Sequence, residues 1–154
     1  MPEKRSALAT AVSFLSRRDH SEAELRRKLF AKGFPAEELD EAMARLRSAG
    51  YLDDRRFALG FAESAIRNGR GYGFRLRLEL SRRGVPEEIV EETLAKVGAE
   101  YDEVATLSEL MARKFEGFVP QQADERKKRR VISYFQRRGF SLAAIVRVFR
   151  DSEE

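Results

Sequence analysis

The chain contains no cysteine and only one histidine, His20. The lack of cysteine excludes disulfides, thiolate zinc sites, iron–sulfur clusters and cysteine nucleophiles, and a single histidine excludes a histidine-rich metal site. No apolar run approaches the roughly 20 residues that a membrane-spanning helix needs, and the first residues are polar rather than typical of a signal peptide. These absences predict a soluble, intracellular protein, which we place in the cytoplasm.

Positive charge is concentrated in the C-terminal third of the chain. The 154 residues carry a formal net charge of +4, but residues 113–154 alone contain 11 basic and 6 acidic residues. The preceding segment, residues 99–112, contains 4 acidic residues and no basic one. Since the net charge is small, its distribution says more about possible partners than its total does.

Hydrophobic residues recur at three- and four-residue spacing along the whole chain, which is the period of amphipathic helices. No segment shows the sustained alternation that a strand would need. The pattern predicts an all-α protein of nine helices, separated by eight breaks rich in glycine, proline, serine and aspartate. The breaks fall at 19–21, 33–35, 50–54, 68–73, 84–86, 98, 117–122 and 139–141.

Three glycines, Gly33, Gly84 and Gly139, mark equivalent positions of an internal repeat. The apolar residues around them agree in type: Leu25, Leu76 and Val131 stand eight residues before the glycine, Leu29, Leu80 and Phe135 four before it, and Leu39, Val90 and Ile145 six after it. A glycine just past a helix end closes the last turn in the left-handed conformation, so each copy should contain a helix–turn–helix.

We therefore predict three tandem three-helix repeats, over residues 6–50, 51–98 and 99–150. Units of this size bury little core alone and usually stack on their neighbours. The expected result is an elongated, curved array with a long exposed face, an architecture more typical of binding than of catalysis.

No residue pattern makes a convincing catalytic site. Asp53 and Asp54 follow a turn and precede a helical run, so helix capping is the simpler interpretation. The glycine-rich segment 68–73 lacks the lysine and the preceding strand of a phosphate-binding loop, and we interpret it as a flexible hinge. His20 lies in a polar turn and should be exposed.

The predicted helix near residues 124–138 carries the strongest functional signal. Its apolar residues share one side, and four arginines share the opposite side with no acidic residue among them. The arginines are Arg126, Arg129, Arg130 and Arg137. Clustered guanidinium groups suit phosphate oxygens or a carboxylate-rich protein groove, so this face is our main candidate for binding a polyanionic partner.

The helix predicted over residues 72–83 has two apolar sides. Leu76 and Leu80 lie on one side, Phe74 and Leu78 on the other, and Arg75 and Arg82 flank them. Two apolar sides predict a helix packed between neighbours. Arg75 and Arg82 complete the set of candidate binding residues.

Several motifs together resemble those of the bacterial RecX proteins, which regulate the RecA recombinase. The most recognisable is Gly50, Tyr51, Leu52, Asp53, Asp54 between the first two units; the others lie within 21–34, 71–85 and 137–145. The resemblance extends from about Ala7 to Phe149, and the order and threefold arrangement of these motifs are more specific than any one of them.

This resemblance implies a protein of three tandem three-helix repeats without enzymatic activity or cofactor, and separately we expect a monomer. It further implies binding in the groove of RecA filaments on single-stranded DNA, with restraint of strand exchange, ATP hydrolysis and co-protease activity. The processes concerned would be homologous recombination, DNA repair and the SOS response. Single-stranded DNA, and more weakly double-stranded DNA, are the other expected partners.

Two functions of other classes stay open from the residues. An autonomous DNA-binding protein would use the same helix–turn–helix units and arginines, and would bind bare DNA in a strongly salt-dependent manner. A purely protein-binding scaffold would use its repeats to engage a helical partner and would not bind DNA at all.

Overall fold

The computed structural model describes residues 5–153, which form nine α-helices and one short 3₁₀ turn. The helices are α1 (Ala7–Arg17), α2 (Glu22–Ala31), α3 (Ala36–Ser48), α4 (Asp54–Arg67), α5 (Gly73–Arg82), α6 (Glu87–Glu100), α7 (Glu103–Lys114), α8 (Glu125–Arg137) and α9 (Leu142–Asp151), with the 3₁₀ turn at Pro120–Gln122. No strand occurs within residues 5–153, so the prediction of an all-α protein with nine helices is confirmed. Across the same residues, no helix has the length and apolar character needed to span a membrane.

Short polar side chains begin many of the helices, as the breaks in the sequence indicated. Ser21 and Glu24 form a reciprocal capping box at the start of α2, in which each side chain accepts a hydrogen bond from the other residue's backbone N–H. Such caps satisfy N–H groups that have no partner within the helix. Side-chain caps also begin other helices: Ser6 caps α1, Asp102 caps α7, Asp124 caps α8 and Ser141 caps α9.

The three repeat glycines end helices in the predicted way. Gly33, Gly84 and Gly139 have φ angles of 90°, 75° and 97°, in the left-handed region that disfavours side chains with a Cβ. In the second and third repeats, the next residue folds back onto the preceding helix, because Val85 N donates to Leu80 O and Phe140 N donates to Phe135 O. This is the hydrogen bond that closes a Schellman-type helix end.

The described chain forms two compact units. The N-terminal unit contains the residues up to Gly60 together with Leu80–Val90, and the C-terminal unit contains Phe61–Glu79 and the residues from Glu91 onwards. The core of the N-terminal unit consists of Ala7, Ala11, Leu25, Leu29, Leu39, Ala42, Met43, Leu46 and Leu52. The core of the C-terminal unit consists of Leu107, Leu110, Met111, Val131, Phe135, Phe140, Ala144, Ile145 and Val148. The repeat positions read from the sequence therefore supply much of both cores.

Aromatic rings dominate the core of the C-terminal unit. Phe135 is fully buried, and its ring lies edge-on to those of Phe115, Tyr134 and Phe140, with centroid distances of 5.7, 5.0 and 5.9 Å. Edge-to-face pairs at these distances add to the stabilisation from burial alone. Phe135 thereby fixes how α8 lies against the rest of this unit.

The glycine-rich segment 68–73 is tightly packed within the C-terminal unit. Tyr72 N donates to Arg138 O at 2.8 Å, and the Tyr72 hydroxyl donates to Tyr101 O. Tyr72 also stacks on Phe140, with ring centroids 5.1 Å apart. The segment is thus a packed junction beside the turn between α8 and α9, and the predicted flexible hinge is wrong.

The two apolar sides of α5 are covered unequally, with Leu78 half-buried on the second side. Leu76 and Leu80 are buried, whereas the Phe74 side chain is 70% exposed. The prediction of a helix packed on both sides is therefore wrong at Phe74. Periodicity shows which residues share a side of a helix, but it does not show whether anything covers that side.

His20 is buried, contrary to the prediction that it would be exposed. It is 3% exposed, its Nδ1 lies 3.0 Å from Arg18 O, and its Nε2 lies 2.8 Å from Lys28 Nζ. The neutral ring can donate from Nδ1 and accept at Nε2, which satisfies both nitrogens. Burial lowers the pKa of His20, in opposition to its hydrogen bond with the backbone. The imidazole therefore serves as a structural side chain of the N-terminal unit.

Asp53 and Asp54 are both capping residues, but they cap different helices. The Asp53 carboxylate accepts from the backbone N–H groups of Arg55 and Arg56, at 3.0 and 3.2 Å, at the start of α4. The Asp54 carboxylate instead accepts from Glu22 N at 2.9 Å, at the first residue of α2 and 32 positions away in the sequence. The structural interpretation of this pair is confirmed, and Asp54 also joins two helices of the N-terminal unit.

Two substitutions of Asp54 distinguish the contribution of its capping hydrogen bond from that of its negative charge. We expect Asp54→Ala to lower the free energy of unfolding by about 1 kcal/mol, and Asp54→Asn to keep most of the stability, because an amide oxygen also accepts from Glu22 N. Burial raises the pKa of Asp54 above its ordinary value of 3.8. The native state then holds this proton more tightly than the unfolded chain does, so the stabilising contribution is complete below pH 3.8 and is lost as the pH rises through the raised pKa.

Urea unfolding at neutral and acidic pH checks both points. The asparagine variant should lack the wild type's loss of stability as the pH rises through that range. Equal stability of the alanine and asparagine variants at neutral pH would contradict the capping role.

Candidate partner-binding surface

Two buried side chains determine which face of α8 meets the solvent. Val131 and Phe135 are fully buried, and Ile132 packs partly against the same core. The helix begins at a side-chain cap, where Asp124 accepts from Lys127 N at 2.7 Å. With one side of α8 held in the core, the residues on the opposite side project into solvent.

The four arginines predicted on that side lie together on the surface. We call Arg126, Arg129, Arg130 and Arg137 the arginine face, and all four are exposed. Arg129 and Arg137 donate to carbonyl groups of their own helix, Glu125 O and Ser133 O, each at 3.3 Å. Among the described residues, none of the four guanidinium groups contacts a carboxylate. The one acid within the helix, Glu125, instead pairs with Lys128 at 3.5 Å.

Four arginines of the N-terminal unit show the opposite behaviour. They pair with carboxylates in Arg18–Glu24, Arg26–Asp40, Arg47–Glu22 and Arg56–Asp19, at 3.1, 2.6, 2.6 and 3.7 Å. Exposed pairs of this kind contribute little stability individually, but they cancel charge locally. Because the arginine face lacks such pairs, it keeps its positive charge and can attract an anionic partner.

The other two candidate residues differ from the arginine face. The guanidinium of Arg75 pairs with Glu79 at 2.8 Å, and the backbone of Arg75 lies against the turn at Gly139, just past the end of α8. Arg82 is exposed and belongs to the N-terminal unit. The structure thus brings the four arginines of α8 together, brings the backbone of Arg75 near their C-terminal end, and places Arg82 in the other unit.

Sequence reasoning missed an aromatic residue beside the arginine face. Tyr134 follows Arg130 by four residues and precedes Arg137 by three, so its side chain borders theirs on the helix. The guanidinium of Arg138 lies 3.5 Å from the centre of the Tyr134 ring and donates to Tyr134 O at 3.1 Å. A tyrosine three or four positions from several arginines was the available signal, but helix periodicity alone assigned it to neither face.

Metal binding has no support within residues 5–153, where no group of three or more histidine, cysteine, aspartate or glutamate side chains is placed to hold an ion.

Comparison with known families gives three consecutive matches. Residues 7–46 match the first three-helix domain of RecX, residues 53–94 match the second, and residues 100–149 match the third. The three matches follow the chain in the family's own order and cover most of its length.

Individual proteins agree with these matches. The chain is 43% identical over 139 residues to the regulatory protein RecX of Trichlorobacter lovleyi, covering 90% of both chains. It is 34% identical over 151 residues to the regulatory protein RecX of Syntrophotalea carbinolica, covering 98% of this chain and 99% of the other. Among solved structures, RecX from Lactobacillus salivarius has a similar fold, with a TM-score of 0.73, 17% identity, and coverage of 96% of this chain and 94% of the other.

Proposed function

This chain belongs to the RecX family of regulatory proteins, and from that premise we propose that it regulates the RecA recombinase. In this proposal it binds RecA filaments on single-stranded DNA and restrains strand exchange, ATP hydrolysis and co-protease activity. It would act in the cytoplasm as a monomer without catalytic activity of its own, during homologous recombination, DNA repair and the SOS response.

The observation that carries this proposal is the ordered match to all three RecX domains. The arginine face supports it independently, because four exposed guanidinium groups without carboxylate partners among the described residues suit a partner rich in negative charge. A RecA filament offers two such surfaces, the phosphates of its DNA and the acidic side chains of its protein.

The mechanism we propose depends on several weak contacts made together. The three predicted repeats, 6–50, 51–98 and 99–150, would contact successive subunits of the filament, so that the contacts reinforce one another through effective concentration. A chain bound across subunits in the filament groove would oppose both filament growth and the passage of a second DNA. The arginine face, with Arg75 and Arg82 as further candidates, would steer association in a salt-dependent way.

Titration of RecA's single-strand-dependent ATP hydrolysis with this protein tests the proposal. We expect inhibition at amounts well below one molecule per RecA subunit, because one bound molecule affects several subunits of a filament. Unchanged ATP hydrolysis together with salt-sensitive binding to bare DNA would contradict the proposal in favour of an autonomous DNA-binding protein. Unchanged hydrolysis without DNA binding would favour a protein-binding scaffold.

A further inference from the structure

A small pocket opens beside the arginine face, within the C-terminal unit. Its volume is about 180 Å³, and it lies where the ends of α4 and α7 meet the last turn of α8. The side chains and backbone that line it are those of Asn68, Gly69, Leu110, Arg113, Lys114, Tyr134 and Phe135. We call this the basic pocket. The sequence patterns alone did not point to this pocket.

The cations of the basic pocket have no carboxylate partners among the described residues. Arg113 and Lys114 are both exposed, and Arg113 donates to Arg67 O at 3.5 Å. The nearby Arg70 donates to the Ser64 hydroxyl at 3.4 Å, and Arg138 covers the Tyr134 ring. Positive side chains often lie at helix C-termini, where they stabilise the helix. Here Arg113 and Lys114, both from the last turn of α7, also line one pocket, which helix stabilisation alone does not require.

Tyr134 gives the pocket a rigid aromatic wall. Its ring lies under the Arg138 guanidinium, and the edges of Tyr134 and Phe115 meet at right angles with centroids 5.2 Å apart. Lys114 Nζ lies 5.6 Å from the ring centre. The Tyr134 hydroxyl makes no hydrogen bond with the part of the chain that the structure describes. A fixed phenol with a spare donor, next to an ammonium and a guanidinium, is suited to a phosphate oxygen.

The basic pocket and the arginine face are continuous along α8. Arg126 and Arg137 are eleven residues apart, which corresponds to about 16 Å along a helix. Tyr134 stands between these two arginines in the sequence and also lines the pocket, so it connects the two surfaces. Proteins that hold single-stranded nucleic acids combine a positively charged groove along the backbone with aromatic side chains, and this row of cations beside Tyr134 has both features.

We infer that the basic pocket binds a backbone phosphate of single-stranded DNA, whose neighbouring phosphates lie along the arginine face. Lys114 and Arg113 would neutralise the phosphate, and the Tyr134 hydroxyl would donate to it. The inference deepens the proposed function, on which its biological meaning rests. Binding of bare DNA is measured without RecA, so the two proposals can fail separately.

The test compares charge-matched variants of the full chain for binding to a fluorescently labelled oligothymidylate, over a range of salt concentrations. The pocket variant combines Arg113→Gln with Lys114→Gln; the control combines Lys96→Gln with Arg147→Gln, which removes the same charge from exposed positions of the same unit. We expect at least tenfold weaker binding for the pocket variant. Its dependence of log affinity on log salt should be shallower by roughly 1.4, since two phosphate contacts are lost at about 0.7 each.

A second variant tests the hydroxyl separately from the charge. Tyr134→Phe keeps the ring under Arg138 and should weaken binding about threefold or more, without changing the salt dependence, since one hydrogen bond is lost and no ion contact.

Three results would overturn the inference. The first is equal DNA binding by the pocket and control variants. The second is unchanged DNA binding by the pocket variant with loss of RecA inhibition, which would assign the pocket to an acidic protein surface. The third is perturbation of the Tyr134 NMR signals by inorganic phosphate but not by the oligonucleotide, which would assign the pocket to a free anion.

Discussion

Gly139→Ala is expected to lower the free energy of unfolding of the C-terminal unit by about 3 kcal/mol or more. Gly139 has a φ angle of 97°, and a Cβ at this position would overlap Tyr72 O and approach Arg75 N to 2.7 Å. The neighbouring hydrogen bond, from Tyr72 N to Arg138 O, would have to lengthen or break to admit the methyl group. Backbone strain and the loss of a packed hydrogen bond therefore act together.

The equivalent glycine of the first repeat provides the matched control. Gly33 has nearly the same φ angle, 90°, but a Cβ there would meet nothing within 4 Å. Gly33→Ala should therefore lower stability only by the 1–2 kcal/mol or so that left-handed backbone costs a residue with a Cβ. Urea unfolding of each variant, followed by circular dichroism in the far and near ultraviolet, measures both changes. Equal losses for the two variants would contradict the packing argument and leave backbone strain as the only cause.

The comparison of these glycines also shows what the sequence could predict. All three repeat glycines end helices in the left-handed conformation, as predicted, because this is a local property of the chain around each helix end. Whether a neighbour lies against the glycine is a tertiary property, and it differs between Gly33 and Gly139. The same distinction explains Asp54, whose capping role was predicted but whose partner, the N–H of Glu22, was not.

The candidate binding residues also divide into those that the sequence predicts and those that only the packing of the helices brings together. Helix period placed Arg126, Arg129, Arg130 and Arg137 on one exposed face, because the buried Val131 and Phe135 fix the rotation of α8. Arg113 and Lys114 belong to another helix, and only packing brings them beside Tyr134. His20 and Phe74 were placed wrongly for the same reason, since the burial of one and the exposure of the other depend on residues distant in the sequence.

Reversal of charge on the arginine face is expected to have the largest functional effect. The combined changes Arg126→Glu, Arg129→Glu and Arg130→Glu should raise the concentration needed for half-inhibition of RecA's ATP hydrolysis about a hundredfold or more. Like charges opposed across an interface cost several kcal/mol, and about 3 kcal/mol corresponds to a hundredfold change in affinity. All three side chains are exposed, and none forms an ion pair with a carboxylate among the described residues, so the substitutions should leave the fold intact.

A second triple charge reversal distinguishes an effect of the arginine face from an effect of the net charge. Lys96→Glu, Arg147→Glu and Arg150→Glu changes the net charge equally at exposed positions outside the arginine face. If the control loses inhibition to the same extent, the effect is one of net charge and the arginine face is not the contact. If the first variant keeps wild-type inhibition, the filament must be bound through another surface, of which the partly uncovered α5 around the exposed Phe74 is the next to test. Loss confined to the first variant would place the contact on α8, where the four arginines have no carboxylate partner among the described residues, unlike the paired arginines of the N-terminal unit.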